Sequence, residues 1–105
     1  MSGFCVVLAT YPTRREALKA AEILVSEKLA ACVNVIPSVR SVYRWKGKLE
    51  RSGEALAVIK SRKRLFAKLS RRIKTLHSYA TPEIVMVPIE AGFGPYLAWL
   101  RESTR

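Results

Sequence analysis

Aspartate is absent from the chain, histidine occurs once, at His77, and cysteine twice, at Cys5 and Cys32. These shortages exclude much chemistry. The pattern offers no Ser-His-acid set, no paired carboxylates and no ligand cluster, whereas metal sites usually gather three or four donors of matching softness. No reaction is assigned, and the chain reads as a non-enzyme. There is no C-x-x-C spacing, and both cysteines lie in apolar, strand-like contexts, so they read as small core residues of a reducing compartment. No apolar run approaches the roughly 20 residues of a spanning helix. Met1-Ser2-Gly3 carries no positive charge, and the apolar run from Phe4 to Ala9 is too short for a secretory signal. A cytoplasmic protein without a membrane span is expected.

What is present is a chain of 105 residues, half of them apolar, which fits one domain over residues 1–105. Lys and Arg number 19 against 8 acidic residues, all Glu, for a formal net charge of +11. Such an excess favours polyanions, but it equally describes an Arg-rich solvated surface.

Phe4 to Thr10 is a continuous apolar run, the pattern of a central strand. Thr13-Arg14-Arg15-Glu16 then has the form of a capping box, in which Thr13 accepts from the amide of Glu16 and Glu16 reaches back. A helix is expected to about Leu29, with Leu18, Ala21, Val25 and Leu29 as its buried stripe. Lys46-Gly47 marks a hairpin tip between the segment from Ala30 and a strand within Leu49 to Ser61. A second helix spans about Lys63 to His77, with Leu65, Leu69, Ile73 and Leu76 inward. Ile84 to Ile89 is a fourth strand, and a short final helix holds Tyr96, Leu97, Trp99 and Leu100. The order β-α-β-β-α-β plus a C-terminal helix is the ferredoxin-like α+β arrangement.

The segment from Ala31 to Trp45 is too long for the globule that carries it. Its odd positions are largely apolar, Val33, Val35, Val39, Tyr43 and Trp45 among them, while its even positions turn polar at Ser38, Arg40 and Arg44. Period-two alternation predicts one face buried throughout. At about 3.3 Å per residue the strand would reach roughly 50 Å, against a radius of gyration of about 13 Å for a compact domain of this size. An apolar ribbon of that length invites cover, and further copies of the same chain in a closed ring supply it. Pro37 marks a bend or bulge; the alternative is a strand ending at Ile36 and a loop after it.

The motifs L-A-A-C-V-N (29–34), Y-R-W-K-G-K (43–48), H-S-Y-A-T-P-E (77–83) and Y-L-A-W (96–99) resemble the CutA family of divalent-cation tolerance proteins, in order and spacing, over nearly the whole chain. The resemblance implies a homotrimer of ferredoxin-like subunits, similar in assembly to the PII signal-transduction proteins, whose long hairpins pair between neighbours. It also implies a role in tolerance of copper and other divalent ions, without an established enzymatic activity. Copper ligands placed in some members correspond here to Ala9, Leu76 and His77, so a single potential ligand survives. Ser78 stands where the family usually has proline, which implies a less rigid start to the loop after His77.

The candidate metal ligands, for copper or another divalent cation, are therefore His77 and Cys32. His77 alone also reads as a helix-end residue, and Cys32 as a small hydrophobe. Asn34, Lys60, Tyr79 and Glu83 could line a cleft with Trp45 and His77, and Lys60 beside Ser61-Arg62-Lys63-Arg64 suits either an anion or a solvated helix start. Val39, Tyr43 and Trp45 are candidate inter-subunit anchors. Two other classes share the scaffold. A nucleic-acid-binding module lacks here the aromatic stacking motif that RNA-recognition domains carry, and an acylphosphatase-like enzyme lacks a glycine-rich phosphate loop.

Overall fold

A computed structural model describes residues 3–105; Met1 and Ser2, part of the N-terminal stretch considered above as a signal, lie outside the described residues. The order is β1 (Phe4–Tyr11), α1 (Arg14–Ser26), β2 (Cys32–Trp45), β3 (Lys48–Arg62), a 3-10 turn (Lys63–Leu65), α2 (Phe66–Leu76), β4 (Val85–Pro88) and α3 (Gly94–Glu102). The strands form one sheet in the order β2-β3-β1-β4, every neighbouring pair antiparallel. This is the mixed ferredoxin-like α+β architecture expected from the element order. No helix among the described residues is long and apolar enough to cross a membrane.

Alternation sorts the sheet into two faces. Cys5, Val7, Ala9 and Tyr11 of β1 stand opposite Ser61, Ile59, Ala57 and Ala55 of β3, and all eight are buried on the helix-covered face. Ala17, Ala20 and Leu24 of α1 and Leu69 and Ile73 of α2 close this core. The α2 stripe is as expected, with Leu76 partly buried. The α1 stripe holds only in part: Ala21 and Leu29 are buried as expected, but Leu18 and Val25 are 44% and 40% exposed, and Ala17, Ala20 and Leu24 face inward instead. Apolar residues cover a wide arc of α1, so periodicity left its orientation open. Packing chose the arc of alanines, which lets the helix approach the sheet closely.

The N-cap is half of the expected box. The Glu16 amide donates to Thr13 Oγ1 at 3.1 Å, but the Glu16 carboxylate turns away to a loop 62 residues on. At its other end α1 stops at Ser26, short of Leu29. Lys28 takes a left-handed φ of 61°, and the Leu29 and Ala30 amides both return to the Leu24 carbonyl.

The hairpin tip falls where expected. Lys46 and Gly47 have φ of 51° and 80°, and Trp45 pairs with Lys48, the two-residue turn whose twist matches the flanking strands. The ribbon gives the molecule extents of 44 × 25 × 23 Å, so the long segment does project beyond its core.

One sequence expectation fails inside the ribbon. Ile36 pairs with Leu56 but Val39 pairs with Glu54, so β2 carries one extra residue at Pro37-Ser38. Such a bulge reverses the alternation beyond it. Val33 and Val35 lie on the helix face, opposite Ile59 and Ala57, whereas Val39, Ser41, Tyr43 and Trp45 lie on the other, open face with Glu54, Ser52, Glu50 and Lys48. No single face of β2 stays buried along its length.

Candidate functional site

His77 caps α2 and sits with its side chain fully enclosed. The Tyr79 amide donates to Nδ1 at 3.1 Å, which leaves the ring proton on Nε2 to be donated to the Thr10 carbonyl at 2.7 Å. The ring stacks on Tyr11, with centroids 4.3 Å apart, and packs against Tyr79 at 4.9 Å. Glu16 completes the junction, its carboxylate accepting from the Ser78 amide at 2.9 Å and the Ser78 hydroxyl at 2.8 Å. Ser78 therefore pins the start of this loop to α1, where its departure from proline had implied a looser one. Burial, reinforced by Glu16, pushes the Tyr11 phenol up to about 12.

The loop from Tyr79 to Glu83 passes beside the root of the ribbon, and a groove of about 800 Å³ lies between them. Tyr43, Trp45 and Tyr79 supply its aromatic walls and Glu50, Glu54 and Glu83 its charge. Tyr79 Oη donates to Glu54 at 2.9 Å, and burial followed by that hydrogen bond pushes the phenol up to about 12. Tyr43 and Trp45 remain 42% and 52% exposed. The rest of the open face continues the apolar character, with Ile36, Val85 and Val87 exposed by 42%, 46% and 48%.

The far end of the open face holds Cys32, Asn34 and Lys60. The Lys60 ammonium donates to Asn34 Oδ1, and the Cys32 thiol lies 3.9 Å from the same oxygen. Tyr96 of α3 approaches from beyond; burial, then the neighbouring Cys32, raises its phenol. Both cysteines are free thiols, and β3 separates their strands. Burial raises the Cys5 thiol, as befits an inert core residue.

The four expected cleft residues thus fall, within one chain, into two groups: Asn34 and Lys60 at one end, Tyr79 and Glu83 at the other. The two candidate metal ligands separate in the same way. Cys32 pairs with Lys60 while His77 stacks on Tyr11, whose partner is Ala55, a separation of roughly 17 Å along β3. They also belong to opposite faces of the sheet. Among the described residues no three His, Cys or Glu side chains converge on a common point. Of the other two family ligand positions, Ala9 is buried in the core and Leu76 is partly buried.

Sequence reasoning missed Glu16, Tyr11 and Thr10 around His77, and Glu50 and Glu54 in the groove. Glu50 was within reach, because a tip at Lys46-Gly47 sets Tyr43 opposite it. Glu54 was within reach in the same way, because the same register sets Val39 opposite it, whereas Glu16 had a local partner available in its own cap.

Comparison with known proteins matches this architecture. The family described as CutA1 divalent ion tolerance protein matches residues 5–103. The chain is 48% identical over 99 residues to a divalent-cation tolerance protein CutA of Thermus thermophilus, covering 94% of this chain and 96% of that one. It is 44% identical over 100 residues to a chloroplastic CutA of Arabidopsis thaliana and 40% over 95 residues to a human CutA, covering 95% and 90% of this chain. The chain spans only about half of those two, 55% and 53% of their lengths. Among solved structures, the Thermus thermophilus protein superposes with a TM-score of 0.95 at 46% identity, covering 97% of this chain and 99% of that one. A Xylella fastidiosa CutA also gives 0.95, at 33% identity and coverage of 99% and 100%. With its sheet order, its projecting hairpin and its sequence in agreement over almost its full length, the chain belongs to the CutA1 divalent ion tolerance family.

Proposed function

We propose that the chain serves divalent-cation tolerance as a homotrimer without catalytic chemistry, one CutA-like domain over residues 1–105 per subunit, resembling the PII proteins in assembly and working in the cytoplasm. The observation that carries this reading is the ribbon: Val39, Tyr43 and Trp45 share the open face of a hairpin extending beyond the core, continuous with an apolar sheet face that α3 covers only at its far end, around Phe4. A surface of this kind in one subunit asks for sister chains. The two free thiols suit a reducing compartment.

The donors of a single chain do not fit a metal centre. His77 commits both ring nitrogens to the fold, and among the described residues Cys32 has no cluster of further donors around it. In our reading copper or another divalent cation, where bound, uses Cys32 in preference to His77 and takes its remaining donors from neighbouring copies. The nucleic-acid reading gains nothing from the groove, whose charge is acidic.

Light scattering of the purified protein tests the assembly. A mass of three chains is expected, falling to one in a Tyr43→Arg/Trp45→Arg double variant that keeps its circular dichroism. A folded monomer in dilute solution would overturn the reading. Titration with copper and zinc, repeated on Cys32→Ser, separates direct metal contact from tolerance exercised by other means.

A further inference from the structure

Beyond the bulge the ribbon is segregated by charge. Directly opposite residues of an antiparallel pair share a face. Arg40, Val42 and Arg44 of β2 therefore stand with Gly53, Arg51 and Leu49 of β3 on the helix side, while Val39, Ser41, Tyr43 and Trp45 stand with Glu54, Ser52, Glu50 and Lys48 on the open side. Arg40, Arg44 and Arg51 thus occupy one face, and Glu50 and Glu54 the other. A ladder continued from Ile36 and Leu56 without the extra residue would have put Arg40 and Arg44 on the glutamate face.

The two faces complement each other. On the helix side Arg40, Arg44 and Arg51 are exposed, with Val42 and Leu49 between them exposed by 63% and 54%. Among the described residues these three guanidiniums make no hydrogen bond or ion pair, and neither do the carboxylates of Glu50 and Glu83. The open side holds the groove of about 800 Å³, whose charged lining is Glu50, Glu54 and Glu83 and whose aromatic walls are Tyr43, Trp45 and Tyr79. Guanidinium groups stack on aromatic rings and pair with carboxylates, while Val42 and Leu49 offer apolar surface to Tyr43 and Trp45. One ribbon carries both halves of this contact but cannot make it with itself, because its two faces point apart. Two open faces brought together would oppose glutamates to glutamates. Open side against helix side is a heterologous contact, which repeats around a ring.

We propose that the helix-side face of a second copy's ribbon, through Arg40, Arg44 and Arg51, seats in this groove, so that each subunit gives its arginines to one neighbour and receives them from the other. The contact rests on the homotrimer proposed above and names the surfaces that join it. Two double variants test it, Arg40→Glu/Arg44→Glu on one face and Glu50→Lys/Glu83→Lys in the groove. None of the four side chains is bonded within the chain, so both variants should fold. Assembly is followed by sedimentation across a urea series at one fixed protein concentration and low salt. Each double variant should dissociate at lower urea than wild type, with association at least tenfold weaker at a common urea concentration, and the fourfold variant carrying both sets should recover most of that loss. The first variant lowers the net positive charge and the second raises it, so general repulsion would shift them in opposite directions, whereas the contact weakens both. A wild-type monomer would end the trimer and this contact together. An assembled wild type whose double variants lose nothing, or whose fourfold variant recovers nothing, would overturn this contact and leave the trimer standing. Stoichiometric uptake of spermidine by the groove of the assembled protein would assign it to a small cation and overturn the proposal as well.

Discussion

Replacing His77 by alanine distinguishes a structural strut from a metal ligand. The ring makes two hydrogen bonds, to the Thr10 carbonyl and from the Tyr79 amide, each contributing about 1 kcal/mol net. Its stack on Tyr11 adds about 1 kcal/mol. Together these predict a loss of about 3 kcal/mol, a large part of the stability of a small domain, before any cost of the cavity. Guanidinium unfolding of wild type and His77→Ala at one fixed protein concentration measures it, since self-association would make the midpoint concentration-dependent. A conservative His77→Gln should recover part of the loss by restoring a donor near Thr10. The reasoning fails if His77→Ala costs less than about 1 kcal/mol, or if stability holds while copper affinity collapses, because the imidazole would then be kept for a metal.

Gly47→Ala forces a Cβ into a φ of 80° and should cost about 1 kcal/mol by denaturant midpoint, while Gly94→Ala, whose added Cβ meets nothing within 4 Å, should be near neutral. The bulge can be tested by crosslinking: in a Cys32→Ser background, Asn34→Cys with Val58→Cys should oxidise to an intrachain disulfide, as directly paired residues of the open face. An unbulged ladder would set Asn34 opposite Ile59, and thiol titration would then find the new pair reduced. Tyr79 ionises near 12 when folded and about 10 when unfolded, so its contribution is complete below pH 10 and is lost as pH rises toward 12. Tyr79→Phe should flatten part of that alkaline limb in denaturation midpoints. Glu27, lowered mainly by its hydrogen bonds from Arg72, contributes above the ordinary Glu range and loses this as pH falls through it, so Glu27→Gln should shallow the acid limb.

The sequence by itself determined the elements and their order. Continuous apolar runs marked β1 and β4, the Leu65, Leu69, Ile73 stripe oriented α2, and Lys46-Gly47 placed the hairpin tip, all signals carried by a few neighbouring residues. Chain length alone made the ribbon project, since extended backbone has a fixed rise. Tertiary structure decided which faces meet. One extra residue at Pro37-Ser38 moved Val39, Tyr43 and Trp45 to the open side of the sheet, because alternation has period two and no local pattern records the partner strand's count. Packing between α1 and the sheet preferred alanines to Leu18 and Val25, and it drew Glu16 from its own cap to Ser78. The same long-range folding set Cys32 and His77 at opposite ends of the sheet and brought Arg62 and Arg64 to the backbone oxygen of Arg105, groupings that depend on how distant segments pair rather than on any spacing along the chain.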